Sequence, residues 1–142
     1  MSRKIADFIV PGKPMGKQRP RVTHTGHAFT PKETMAYENY VRMCFLNSEH
    51  PEDPTDKAVR MTVIATFPIP TSWSKKKQRE AEESTIPYTH KSDIDNCLKI
   101  VMDSLNGLAY KDDAQITTIC GTKIYGKSPS MVVCIEEIEE GI

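Results

Sequence analysis

The chain has 142 residues, 38% hydrophobic and 27% charged, with 19 basic residues balanced by 19 acidic ones. This is the length of one domain with a core of its own and the composition of an ordinary soluble globular protein; zero formal charge excludes a global field that recruits nucleic acid or membrane. Cysteines 44, 97, 120 and 134 form no CxxC pair, which excludes a zinc ribbon or redox couple, and no apolar run nears the roughly 18 residues of a membrane span, so a cytoplasmic protein with buried free thiols and no membrane partner is expected.

"KIADFIVPG" reads as a first strand stopped by Pro11-Gly12. Residues 12–29 have no helical or strand period and are rich in Gly, Pro and cations, which predicts an extended basic loop. Lys13, Lys17, Arg19 and Arg21 place four cations within nine residues there. Met1 to Lys32 carries seven bases against Asp7 alone, so an anionic partner should meet this half first. A helix follows, with Thr30 as N-cap, Pro31 at its first position, Glu33 completing a capping box, and Tyr37, Tyr40, Val41, Cys44 and Phe45 as its apolar face. "KAVRMTVIATFPIP" alternates cleanly and predicts a strand. "SWSKKKQREAEES" predicts a short charged helix, and its lysines are as well explained by a solvated face as by phosphate contact. A helix from Ser92 to Asn106-Gly107 comes next, capped by Ser92 with Asp95 as the box acid. "AQITTICGTKIYG" and "SMVVCIEEI" predict two closing strands paired as a hairpin. The order β-α-β-α-α-β-β predicts a single domain over residues 1–142, mixed α/β of the α+β kind, with helices packed on a small mixed sheet.

Chemistry concentrates in "KSDIDNCLKIVMDSLNGLAYKDDAQI", residues 91–116. Acids in a helix's first turn are stabilised by its dipole, and Asp favours turns, so Asp93, Asp95, Asp112 and Asp113 can be caps and nothing more. Against that, Asp93 and Asp95 open one helical turn, Lys99 lies on the same face as Asp95, and the returning chain can carry Asp112 or Asp113 beside the first pair. Converging carboxylates repel unless a cation sits among them, and an oxygen-only set suits Mg²⁺ or Mn²⁺. A calcium loop is excluded by Leu98 and Ser104 at its sixth and twelfth positions. Asp103 can pair with Lys99 on the helix surface. A divalent cation beside a lysine is equipment for phosphoryl transfer, and the basic loop suits a nucleic-acid backbone. His24 and His27 fit DNA contact or plain exposure, and Trp73 either a packing lid or a stacking wedge.

The stretch D-I-D-N, Lys99, D-S-L and D-D-A-Q, together with "GKPMGKQRPR", resembles the RusA-type Holliday junction resolvases, in particular their phage- and prophage-like members. The resemblance implies a RusA-like fold and a homodimeric, Mg²⁺-dependent endonuclease that cuts branched DNA, the four-way junction, by paired nicks in recombination and repair. It places the catalytic acids and metal ligands on Asp93, Asp95 and Asp113, the catalytic lysine on Lys99, and supporting positions on Asp112 and Asn96; the charge of the basic loop adds DNA contact by Lys13, Lys17, Arg19 and Arg21, with Lys91 beside the acids. Zero net charge departs from the basic character expected of a junction binder. A less selective flap or fork nuclease and a non-catalytic DNA-binding protein are the alternative readings.

Overall fold

The computed structural model describes residues 2–139. Strand β1 (Ser2–Pro11) is followed by a small ladder of β2 (Arg21–Val22) and β3 (Ala28–Phe29), then helix α1 (Lys32–Leu46) and strand β4 (Ala58–Pro68). Helices α2 (Lys75–Glu82) and α3 (Ile94–Ser104) precede a 3-10 turn at Asp113–Gln115, strand β5 (Ile116–Gly126) and strand β6 (Ser130–Ile138). The main sheet is mixed, in the order β1-β6-β4-β5. The α+β expectation holds, and the basic loop carries a tiny antiparallel hairpin that its sequence did not announce.

The closing strands are not a hairpin. β6 inserts between β1 and β4, antiparallel to both, while β5 lies on the far side of β4 and runs parallel to it. Neighbouring strands are about 4.8 Å apart, so skipping one strand needs about 10 Å, which Lys127–Pro129 can span. β6 thus takes an interior place beside β4 and, like it, alternates evenly, with Met131, Val133 and Ile135 fully buried.

One face of the sheet makes the core. Val59, Met61, Val63, Ala65 and Phe67 of β4 point into it and are almost wholly buried. Helices α1 and α3 pack against each other over this face, with Val41 and Phe45 facing Cys97, Ile100, Val101 and Leu105 in one cluster. A parallel β4–β5 pair needs a crossover, and α3 is its last helix. It therefore runs opposite to β5: the Cβ position of Gly121 faces Leu98 early in α3, and Lys123 reaches back to Ser92 before it. The start of α3 thus lies over the later half of β5, and its end lies near where β5 begins.

Helix starts differ in detail from expectation. Pro31, not Thr30, is the N-cap of α1, with no side-chain cap bond; Asp93, not Ser92, is the N-cap of α3. The cysteines are unpaired as expected, but Cys120 is exposed because β5 is an edge strand.

Candidate active site

Helix α3 buries Cys97, Ile100, Val101 and Ser104 against the core. That leaves Asp95, Lys99 and Asp103 at four-residue spacing along an outer flank. Lys99 pairs with Asp103 at 3.6 Å, as the spacing predicts. Asp93 is extended (φ −65°, ψ 145°), and its side chain makes no capping bond. Both Asp93 and Asp95 are exposed, and among the described residues neither enters a salt bridge. Asp93 therefore holds the N-cap position without capping through its side chain, and two uncommitted carboxylates stand at one helix start. Burial pushes the Cys97 thiol up to about 11, while the charge of Lys123 pulls it down and those of Asp93 and Asp95 add to the rise.

The basic loop is seated on this helix start. A Cβ on Gly16 would come within 2.9 Å of the Ser92 Cβ and 3.1 Å of the Asn96 Cβ, so the approach needs glycine. The Lys17 amide donates to the Asn96 carbonyl at 2.8 Å. The Lys17 ammonium reaches Glu38 at 2.9 Å and Asp103 at 3.2 Å, with its side chain 16% exposed. Burial lowers its pKa, but hydrogen bonds and charge from Glu38 and Asp103 outweigh this and raise it on balance. Lys17 thus ties the loop to α1 and α3. Lys13, Arg19, Arg21 and Lys91 are exposed and form no ion pair among the described residues. A cleft of about 240 Å³ lies between loop and helix, lined by Gly16, Lys17, Lys91, Ser92, Asp93 and Asn96.

The other aspartates are elsewhere. Asp112 accepts from the Ala114 amide and shares a capping box with Gln115, so its carboxylate is committed to a turn. The Asp113 amide donates to Asn106 Oδ1 at 3.1 Å, which fixes it beside the far end of α3. Eleven helical residues at 1.5 Å each set about 16 Å between the two ends. The expectation that the returning chain carries Asp112 or Asp113 beside Asp93 and Asp95 is not met within one chain. No metal-suited group of three such side chains occurs among the described residues.

Trp73 packs edge-on to Tyr125 at 5.1 Å and carries Lys77 over its ring, a packing role. His24 and His27 sit in the exposed β2–β3 turn, held by the Thr23 amide donating to the His27 carbonyl. Sequence reasoning missed Lys123. Its signal was available: with Ile119, Gly121 and Tyr125 it occupies the inward phase of β5, an unusual place for a lysine.

Residues 11–136 match the family of Endodeoxyribonuclease RusA. The chain is also 36% identical to the Uncharacterized protein YqaN of Bacillus subtilis (strain 168), over 92% of this chain and 95% of that protein.

Proposed function

Since the chain belongs to the RusA family of endodeoxyribonucleases, enzymes that resolve Holliday junctions, we propose that it cuts four-way DNA with Mg²⁺ held by Asp93, Asp95 and Asp113. The observation that carries this reading is the pair of uncommitted carboxylates, Asp93 and Asp95, at the start of α3 beside a seated basic loop. The donor set fits: carboxylate oxygens without His or Cys suit a hard, six-coordinate cation, with Mn²⁺ an effective substitute. When bound, such an ion polarises the phosphodiester and lowers the pKa of water.

The chain's own residues supply the rest. Lys13, Arg19, Arg21 and Lys91 take backbone phosphates along the exposed loop. Lys17 holds that loop in place from its ion pairs with α1 and α3. Lys99 stands one turn beyond Asp95 and, released from Asp103, stabilises charge developing on the phosphate. Asn96 and Asp112 support the two halves of the site, Asn96 through its carbonyl to Lys17 and Asp112 by capping the turn that carries Asp113. With Asp113 a helix length away, the third carboxylate comes from a second copy. A two-fold dimer then has two sites, one for each opposed nick.

The test is cleavage of a labelled four-way junction beside matched linear duplex and flap DNA, with and without Mg²⁺, for wild type and Asp95→Asn. Metal-dependent paired nicks confined to the junction and absent in the variant support the reading. Equal cutting of flaps moves the assignment to a less selective branched-DNA nuclease. Binding without cutting under either metal would leave a DNA-binding protein.

A further inference from the structure

Lys123 stands in β5 in register with Ala65, a fully buried position, so its side chain leaves the sheet on the helix-covered face. Its ammonium donates to the carbonyls of His90 and Ser92, each at 3.0 Å, and lies 5.1 Å from the centre of the Tyr88 ring. The Tyr88 hydroxyl in turn donates to the Lys91 carbonyl. Two side chains therefore tie down three consecutive carbonyls, at residues 90, 91 and 92, and the next residue is Asp93. Among the described residues no carboxylate lies in ion-pair range of Lys123. A partly buried cation spent on backbone carbonyls is a costly way to hold an ordinary loop. It is a rational way to hold the backbone that presents a carboxylate, because a ligand displaced by an ångström is no longer a ligand.

We propose that Lys123 is a positioning residue of this site: it fixes the backbone of residues 90–92 so that the Asp93 carboxylate is presented beside Asp95. This rests on the metal-nuclease reading above. It differs from the role of Lys99, which faces the phosphate, because Lys123 works through Asp93 and touches neither DNA nor the reacting atoms.

The experiment measures two things for wild type, Lys123→Met, Lys123→Arg and Tyr88→Phe. One is the midpoint of Mg²⁺ binding to the protein alone, titrated at fixed temperature, with its melting temperature; the other is kcat and KM on a four-way junction. Lys123→Met should raise the Mg²⁺ midpoint about tenfold or more and lower kcat about 10–100-fold, with KM for DNA within about threefold. Lys123→Arg keeps the donors and should recover most of both. Tyr88→Phe removes the other tie in a conservative change and should show the same signature more weakly, which carries the test if Lys123→Met does not fold. A lower melting temperature with unchanged midpoint and kcat would make Lys123 a structural tether only. A lowered Mg²⁺ midpoint would show its charge competing with the cation, and a raised KM with preserved kcat would make it a DNA contact; each overturns the proposal. If wild type itself neither responds to Mg²⁺ nor cuts, the nuclease reading fails and this assignment with it, an outcome distinct from an active wild type matched by its variants.

Discussion

Replacing Lys17 with Met should damage the fold before it damages DNA binding. The ammonium lies between Glu38, whose side chain is 9% exposed, and Asp103, 23% exposed. Breaking a buried pair by removing one partner costs about 3–5 kcal/mol. Asp103 keeps Lys99 and is partly hydrated, so the expected loss here is about 2–4 kcal/mol, chiefly from Glu38 left buried without a partner. At roughly 3 °C per kcal/mol for a chain of this size, the melting temperature should fall by about 6–12 °C. Urea unfolding followed by circular dichroism measures it. A cycle with Glu38→Leu should return a coupling of about 1 kcal/mol or more. The pH dependence has a definite sign. The folded pKa of Lys17 lies above its ordinary value of 10.5, so the protonated lysine favours the fold. Its stabilisation is complete below 10.5 and is lost as pH rises through the higher folded value, so the gap between wild type and variant should be flat near neutrality and close in strong alkali. A loss under about 0.5 kcal/mol, with junction affinity reduced tenfold, would refute the anchor and restore Lys17 to the DNA-contacting set.

Three further outcomes follow from the same geometry. Asp113→Asn should abolish junction cleavage, whereas Asp112→Ala should lose about 1 kcal/mol of stability as a cap and keep substantial activity; the reverse ranking would move the third ligand to Asp112. Mixing inactive Asp95→Asn with inactive Asp113→Asn should restore nicking to about a quarter of wild type, since half the random dimers are mixed and each holds one intact site, while no rescue would place all three acids within one chain. Gly121→Ala should destabilise by about 1–3 kcal/mol in thermal melts, because the new Cβ meets Leu98 Cδ2 at 2.7 Å and Cγ at 3.1 Å and separates α3 from β5; neutral or improved stability would show that Leu98 gives way.

The elements were legible because their signals are local. β4 alternates for eleven residues and buries every second one, and α3 carries an apolar stripe ended by Gly107, whose φ of +81° suits glycine. Strand order was not legible, because it depends on which strand takes the centre. The three residues joining β5 and β6 are enough for a tight pairing and also enough to step over β4. The α1 start lies one residue beyond the local capping pattern, at Pro31, and the buried Thr34 that follows donates to Gln18 of the basic loop, a contact the pattern does not announce.

The acids show the same division between local pattern and tertiary placement. Spacing alone placed Asp93 and Asp95 at one helix start and Lys99 one turn further along the same helix, because local periodicity fixes these relations. Spacing also suggested that the chain, after turning at Gly107, returns to where α3 began. It does not, because residues 108–115 are held at the helix's far end. Leu108 and Ala109 amides bond back to the Leu105 carbonyl, the Tyr110 hydroxyl donates to the Met102 carbonyl, and Gln115 reaches the carbonyls of Thr55 and Lys57. Parallel pairing of β4 and β5 demands this, since β5 must start at the end of the sheet where β4 starts, opposite to where α3 begins. The topology that makes a parallel edge strand thus separates Asp113 from Asp93 and Asp95 by one helix. On the proposed reading a second copy of that helix, running the other way, would close the gap, and the mixed-variant rescue tests it.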